Sequence, residues 1–433
     1  MSSLAESIAG RLAAARERTL ALYEPLRSAD LARTPDPIMS PPLWDLGHIA
    51  AYEELWLACR LSGHDSLHPG LQRAYDAFET PRARRTEIRL LDEAGCRDYL
   101  NRVRERSLEA LAATDLDPGG PPLTAGGFVF EMVAQHEAQH TETVLQTLQM
   151  FPDGTYRPPR QTRLPDVRDA VADRIFIPPG SFSMGASIDF AYDCERPRHQ
   201  RTLAGYLIDR YPVTNGRHLE FMADGGYERP QLWSAEGWAW RCEHDVSAPL
   251  YWEPGGGGSW VARSFDQIAA VDPDRPVCHA SWHEADAHAR WARARLPTEE
   301  EWERAARGGP GERDAPRYPW GDEPVDGRAN LDQLAFAPAP VGAYPEGAAR
   351  TGCGQLIGDV WEWTSSRFSP YPGFAAFPYR EYSEVFFGKD YRVLRGGSWA
   401  TQPIAVRTTF RNWDLPQRRQ IFSGFRLAWD LRD

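Results

Sequence analysis

Residues 128–149, FVFEMVAQHEAQHTETVLQTLQ, carry the pattern that decides the fold of the first part of this chain. Apolar residues recur there at helical spacing, which predicts one amphipathic helix. His136 and His140 lie four positions apart on it, a spacing that places two side chains on one helix face, about 5–6 Å apart at Cβ. Because two imidazoles held in this way can share one metal ion, we expect a metal site on this helix.

Three further helical patterns precede this helix and predict a four-helix bundle. Residues 4–23 and 91–113 form two of them, and another begins at Ser40-Pro41-Pro42, with Ser40 as N-cap and proline in the first turn. His48 lies on that helix, and bundle interiors commonly hold metal sites built from facing helices. We expect His48, His136 and His140 to form a metal site with open positions; the alternative for His48 is an ordinary core or surface histidine.

The segment HEAQH at residues 136–140 also matches HExxH, the motif of zinc proteases. A zinc hydrolase is therefore an alternative, although such enzymes usually take their third ligand from downstream, where this sequence has no suitable residue. The position of His48 distinguishes the two hypotheses. Glu137 is either a solvated helix charge or a residue that orients a ligand.

Composition limits the partners and the compartment. The chain has 433 residues and a net charge of −12 without a basic stripe, so two domains and no nucleic-acid partner are expected. No run reaches the roughly 18 apolar residues of a membrane span, and the N-terminus lacks a signal-peptide pattern. The six cysteines are scattered, which favours reduced thiols. We expect a cytoplasmic monomer without a membrane partner.

The sequence changes character after residue 151. Residues 152–173 are rich in Pro, Arg and Asp and form a predicted linker, and residues 174–433 alternate short apolar runs with Gly, Pro and Asn turns. Only two helices are predicted there, at residues 283–293 and 298–307, the second with Thr298 and Glu301 as a capping box. The chain is thus predicted to be α+β, with a helical domain at residues 1–151 and a mixed domain at residues 174–433.

Seven motifs of the second domain resemble the formylglycine-generating enzymes (sulfatase-modifying factors), a variant of the C-type-lectin-like fold. They occur in order as GSFSMG (180–185), YPVTN (211–215), RLPTEEEWERAAR (295–307), YPWGD (318–322), GDVWEWTSS (358–366), RVLRGGSW (392–399) and GFRLAWD (424–430). Thr401 and Val406 stand where that family has its two reactive cysteines, so its chemistry is not expected here. The fold is compatible with structural Ca²⁺, for which no ligand is assigned.

The combination of a DinB-like bundle with such a domain resembles the ergothioneine-biosynthesis sulfoxide synthases (hercynine oxygenases). Local strings carry the resemblance over nearly the whole chain: MSPPLWDLGHI (39–49), EELWL (53–57), PRARR (81–85), PYREYSEVFFG (378–388) and FRNWDLPQRRQIF (410–422). The resemblance implies a non-haem Fe(II) enzyme that uses O2 to join C2 of hercynine to a thiol sulfur, with formation of a sulfoxide.

The same resemblance implies roles for individual residues. Tyr379 matches the tyrosine that supplies a proton, and Tyr382 is a nearby substrate contact. The remaining matches are hercynine contacts at Gln139, Asn412 and Trp413, and γ-glutamylcysteine contacts at Arg82, Arg85, Asp414 and Arg418. Two carboxylates and one ammonium suit guanidinium forks and one acid, which favours γ-glutamylcysteine over cysteine or glutathione.

Several alternatives stay open at this stage. Arg419 competes with Arg418 for the substrate-facing position. A synthase acting on histidine itself, as in ovothiol biosynthesis, would usually carry an additional methyltransferase domain. A binding protein whose lectin-like domain holds a ligand would keep its function when the histidines are replaced.

Overall fold

The computed structural model describes residues 3–152, 154–159, 162–165, 167, 173–186, 190–308 and 316–431. The chain divides into two compact units, which are Met1–Pro159 with Ile188–Phe190, and Arg160–Ser187 with Ala191–Asp433. The first unit is helical and the second is mixed, so the predicted α+β class is confirmed. Across the described part of the chain, no helix combines the length and the apolarity that a membrane crossing needs.

The first unit contains the four long helices that the periodicity predicts. Its helices are α1 (Leu4–Tyr23), α2 (Ser28–Leu31), α3 (Pro42–Glu53), α4 (Glu93–Ala113) and α5 (Phe128–Met150), with a π-helical continuation of α3 at Glu54–Leu61 and 3-10 turns at Arg82–Arg84 and Ala125–Gly127. Helix α5 packs against α1 and α3, and α3 also packs against α4. Leu12, Trp44, Val103 and Met132 are fully buried between them.

The N-terminal ends of α3 and α4 are fixed by residues other than those the sequence pattern predicts. Asp92 accepts a hydrogen bond from the amide of Gly95 and caps α4, which therefore begins two residues later than predicted. The prediction that Ser40 caps α3 is wrong, because Pro41 occupies the N-cap position and Ser40 lies one residue too early to reach the first-turn amides. The Ser40 hydroxyl instead accepts a hydrogen bond from Arg85 Nη1 at 2.6 Å.

The second unit has more helix than the sequence pattern predicts. Its described residues form α6 (Asn215–Ala223), α7 (Ala235–Glu243), α8 (Trp282–Trp291) and α9 (Glu299–Arg307), with 3-10 turns at Asp193–Glu195, Pro230–Leu232, Gly256–Gly258, Pro345–Gly347, Arg380–Tyr382, Glu384–Phe386 and Pro403–Ala405. The expectation of two helices is thus wrong: α6 and α7 were not predicted, because neither has the Glu or Gln three residues after its N-cap that marks α9. The predicted capping box of Thr298 and Glu301 is confirmed.

Twelve short strands in the described residues form four small sheets. They are β1 (Arg174–Ile177), β2 (Gly180–Met184), β3 (His199–Leu203), β4 (Tyr206–Asp209), β5 (Trp252–Pro254), β6 (Trp260–Ser264), β7 (Gln267–Ala270), β8 (Trp361–Arg367), β9 (Arg392–Arg395), β10 (Asn412–Asp414), β11 (Ser423–Gly424) and β12 (Ala428–Asp430). The sheet orders are β1-β4-β12, β10-β9-β8-β11, β2-β3 and β5-β6-β7. Only β11 and β8 pair in parallel within this set.

Buried arginine–carboxylate pairs hold the interior of the second unit together. Arg411 forms a two-pronged pair with Glu299, at 2.8 and 2.9 Å. Arg426 pairs with Glu362 in the same way, at 2.6 and 2.7 Å. Such forks fix both the distance and the orientation of their partners. They connect the strands of the four-stranded sheet to α9 and to the loops around it.

Candidate metal centre and substrate-binding residues

Three histidines from two helices of the first unit come together in the structure. His48 lies on α3, and His136 and His140 lie on α5; one nitrogen from each forms a group whose members are all within 4.8 Å of one another. The Nε2 atoms of His48 and His136 are 3.2 Å apart. Two ligands with metal–nitrogen bonds of about 2.1 Å are separated by about 3.0–3.4 Å in octahedral or tetrahedral sites. The three imidazoles therefore fit a single metal ion.

In His48 and His140, the ring nitrogen that points away from the three-histidine group (the outer nitrogen, Nδ1) forms a hydrogen bond, so that the other ring nitrogen, Nε2, is available as a metal ligand. His48 Nδ1 is 2.6 Å from the carbonyl oxygen of Tyr75, which only accepts, so the proton lies on Nδ1 and the lone pair on Nε2. His140 Nδ1 is 2.8 Å from Oδ1 of the fully buried Asp45. A carboxylate or carbonyl behind a histidine is the usual support of a metal ligand. Asp45 was not predicted, although its position three residues before His48 is a readable signal.

The environment keeps two of these imidazoles neutral, as metal ligation requires. Burial lowers the pKa of His48 well below its usual value, and the nearby charge of His140 lowers it further. The pKa of His136 is lowered by burial first, then by His140 and His48. At neutral pH both rings thus offer an unprotonated nitrogen without first losing a proton.

Aromatic rings fix the orientation of the same two histidines. The His48 ring stacks on Trp44 with centroids 4.6 Å apart and planes 15° from parallel. The ring of His136 stacks on Tyr52 at 3.6 Å and 9°. Each histidine therefore has one face covered, which restricts rotation of the ring and keeps its nitrogen directed at the group.

Glu137, the acidic residue of HEAQH, belongs to a buried ion-pair network instead of the metal group. It is 1% exposed and accepts hydrogen bonds from Arg16 Nε at 2.8 Å, Thr19 Oγ1 at 2.9 Å and Arg104 Nη2 at 3.2 Å. The same two arginines pair with Glu53. A general base of a zinc hydrolase must reach a metal-bound water. The carboxylate of Glu137 is instead hydrogen-bonded to side chains of α1 and α4, so it stabilises the packing of α5 against these helices.

The three predicted substrate-binding residues of the first unit differ in how far their side chains are available. Arg82 is exposed and donates from Nη1 to the carbonyl oxygen of Ile38 at 3.0 Å. Arg85 is 5% exposed, and its guanidinium carbon lies 3.3 Å from the ring centre of Trp44. Its nitrogens donate to the Thr80 and Ala77 carbonyls and to Ser40. Gln139 is half-buried on α5.

In the second unit, the predicted tyrosines lie beside the predicted hercynine-binding tryptophan. The rings of Tyr379 and Tyr382 are 6.3 Å apart, and Tyr382 meets Trp413 edge-on at 5.7 Å. Trp413 stacks on Phe368 at 4.0 Å and 9°. Asn412 precedes it on β10, paired with Leu394 of β9. The structure thus places Tyr379, Tyr382 and Trp413 in one cluster of partly buried aromatic rings, and Asn412 is the neighbour of Trp413 along β10.

Asp414 and the two neighbouring arginines complete this part of the second unit. Arg418 Nε lies 3.7 Å from Asp414 Oδ1, at the outer limit of an ion pair. Arg419 donates to the carbonyl oxygen of Ala248 at 3.0 Å and lies 3.7 Å from Glu284. Arg419 is therefore used by the fold, and Arg418 is the arginine that stays next to Asp414.

The positions that correspond to the reactive cysteines of the formylglycine-generating enzymes are buried and unreactive. Thr401 Oγ1 accepts a hydrogen bond from the amide of Ser398 at 2.8 Å, and Val406 is packed in the core. All six cysteines of the chain are free. In the described residues the three histidines form the one group of three or more His, Cys, Asp or Glu that fits a metal. The calcium expectation named no ligands and stays a prediction.

Comparison with known proteins agrees with this architecture. The model of the sulfatase-modifying factor enzyme 1-like domain matches residues 160–431, and the DinB superfamily model matches residues 11–144. The chain is 33% identical over 297 residues to the formylglycine-generating enzyme of Streptomyces coelicolor, and the matched region covers 59% of this chain and 89% of that protein.

Two further relatives match both units. The hercynine oxygenase of Mycobacterium tuberculosis is 46% identical over 435 residues, covering 98% of this chain and 99% of that protein. The hercynine oxygenase of Mycolicibacterium smegmatis is 45% identical over 438 residues, with the same coverage. The chain therefore belongs to the hercynine oxygenases, a family of oxidoreductases.

Proposed function

We propose that this protein is an Fe(II)- and O2-dependent sulfoxide synthase of ergothioneine biosynthesis. Its substrates are hercynine and γ-glutamylcysteine, and its product is γ-glutamyl-hercynylcysteine sulfoxide. A C–H bond at C2 of hercynine and the S–H bond are broken and a C–S bond forms. One atom of O2 enters the sulfoxide and the other becomes water, so the four electrons removed from the substrates balance the reduction of O2. The three-histidine group carries the proposal.

Imidazole ligands suit Fe, Zn and Cu alike, so the choice of iron rests on the family. Fe(II) bound by the three histidines would supply the open coordination positions at which two substrates and O2 react. The chain's own contribution is to hold three neutral imidazoles in place: Asp45 and the Tyr75 carbonyl fix two outer nitrogens, and Trp44 and Tyr52 cover two ring faces.

Hercynine carries a quaternary ammonium, which an aromatic face binds by cation–π attraction. Trp413 is proposed for that role because its position beside Phe368 and Tyr382 keeps its ring rigid. Asn412 and Gln139 are proposed to contact the polar groups of hercynine by hydrogen bonds.

The dipeptide γ-glutamylcysteine requires partners for two carboxylates and one ammonium. Arg418 and Arg82 are proposed to bind the carboxylates, and Asp414 the ammonium. Arg85 is less available than Arg82, because its guanidinium would have to give up a hydrogen bond to Ser40 or Ala77. Free cysteine as the thiol donor is the alternative, since it would need fewer arginines.

Tyr379 is proposed as the proton donor to the reacting oxygen. A phenol carries one O–H group, which can donate to an acceptor oxygen. The family resemblance supports this role, as does the position of Tyr379 near Tyr382.

The zinc hydrolase alternative loses its support in the structure. Its general base would be Glu137, whose carboxylate is buried among Arg16, Thr19 and Arg104.

The test is an incubation of the protein, loaded anaerobically with Fe(II), with hercynine, equal amounts of γ-glutamylcysteine and cysteine, and air. Mass spectrometry should find hercynine joined to γ-glutamylcysteine, with loss of two hydrogens and gain of one oxygen. A cysteine adduct as the main product would overturn the thiol donor, and no adduct with either thiol would overturn the function. Zn²⁺-loaded protein is the control.

A further inference from the structure

One carboxylate bridges the two ends of the segment that carries Tyr379 and Tyr382. The amide of Phe377, before the segment, donates to Asp193 Oδ2 at 3.3 Å. The hydroxyl of Ser383, directly after it, donates to Asp193 Oδ1 at 2.7 Å. Asp193 is 2% exposed, so water does not compete well for these bonds. Residues 378–382 are thereby tied together at both ends by a residue 184 positions away from Phe377.

The turn that contains Asp193 is held by residues close to β10, the strand that carries Asn412 and Trp413. It begins a 3-10 turn in which Glu195 pairs with the buried Arg407 and accepts a hydrogen bond from Thr409 at 2.7 Å. Arg411 donates to the carbonyl oxygen of Cys194 at 2.8 Å. Since β10 begins at the next residue after Arg411, the turn is attached to the base of that strand.

The residue before Asp193 supports the same segment from a ring face. Tyr192 stacks on Tyr382 with centroids 3.9 Å apart and planes 15° from parallel. Tyr382 in turn meets the ring of Trp413 on β10. The hydrogen bonds of Asp193 and the stacking of Tyr192 therefore act on one short piece of chain, from one fixed turn.

We infer that Asp193 is a positioning residue, which sets the place of Tyr379 relative to β10 through its bonds to Phe377 and Ser383. This inference rests on the proton-donor role proposed for Tyr379. Asp193 does not touch the substrate in this account. Its effect is geometric, and a displacement of about 1 Å at a reacting group can lower a rate about a hundredfold.

The chemistry of the bridge allows a sharp choice of variants. Burial raises the pKa of Asp193 to about 6, and the neighbouring charge of Glu195 adds to that rise. The bridge does not require a charge. A protonated Asp193 can still accept a hydrogen bond from the Phe377 amide, and it can donate one to the Ser383 hydroxyl, because a hydroxyl can accept as well as donate. Asparagine has the same shape and the same two capacities. D193N therefore preserves the bridge, whereas D193A removes both bonds.

Hydrogen–deuterium exchange of the peptide that covers residues 377–383 measures the bridge without turnover. In D193A we expect the amides of this peptide to exchange at least about ten times faster than in the wild type, because two bonds to a buried acceptor are lost. In D193N we expect exchange within about threefold of the wild type. D390A is the matched control, since Asp390 is exposed and pairs with Arg367 at the surface of the same unit.

Turnover is then measured on the same variants with the substrates proposed above. We expect kcat to fall about 10–100-fold in D193A and to stay within about threefold in D193N and D390A. Unchanged exchange and kcat in D193A would overturn the inference, as would a D193N as impaired as D193A. If D193A does not fold, S383A decides: the loss of one bond should raise exchange of this peptide, and unchanged exchange would overturn the inference. If wild-type protein forms no sulfoxide, the proposed function fails, while the exchange comparison still tests the bridge.

Discussion

Replacing Glu137 with Gln should destabilise the first unit instead of only removing a catalytic group. Glu137 forms ion pairs with the buried Arg16 and Arg104, and the neutral amide of Gln cannot. Glu53 is then the one carboxylate of this network that still pairs with the two arginines. Breaking a buried pair on one side costs about 3–5 kcal/mol. For a domain of this size, each kcal/mol lowers Tm by about 2–4 °C, so we expect a Tm lower by about 6–20 °C.

Thermal unfolding of metal-free protein at neutral pH, followed by circular dichroism, measures this change. The control is E105Q, the same substitution at an exposed position of α4 next to Arg104, which should alter the unfolding free energy by less than about 0.5 kcal/mol. A Tm for E137Q equal to that of the control, with turnover abolished, would refute the reasoning and would restore Glu137 as a general base.

Three further predictions concern the three-histidine group and Tyr379. D45N should weaken metal binding about 10–100-fold, because His140 loses the carboxylate behind it; competition with a chelator measures this, and unchanged affinity would contradict it. Burial lowers the pKa of His48 and His136, so below about pH 6.5 the unfolded chain binds protons that the folded chain excludes. The metal-free protein should therefore lose stability as the pH falls through that value, and H136Q should lose less; equal pH slopes would contradict this. Y379F should slow sulfoxide formation about 100-fold with substrate binding unchanged, as measured by single-turnover kinetics, and a normal rate would exclude Tyr379 as the proton donor.

The local patterns of the sequence were sufficient for the parts of the molecule that local physics decides. Helical periodicity gave α5 to within one residue, and the spacing of His136 and His140 placed them on one face. His48 could be added because a bundle brings its helices together, and the structure groups it with that pair.

Residues whose environment depends on tertiary contacts could not be predicted in the same way. HExxH does not show whether Glu137 faces the metal or the interior of the bundle, since its side chain lies about 100° around the helix from that of His136. Substrate binding by Arg85 stays a prediction, and only the folded chain shows that its guanidinium lies over the ring of Trp44. Asp193 stands in a stretch without period, and its partners are far away in sequence.

The central claim is that His48, His136 and His140 form one metal centre. The most direct test measures the metal content of Fe(II)-reconstituted wild-type protein and of H48A by inductively coupled plasma mass spectrometry, after removal of loosely bound metal. One ion per chain in the wild type and a loss of that ion in folded H48A would agree with the account. Full retention of metal by H48A would contradict it, because the ion would then be held without the histidine of α3.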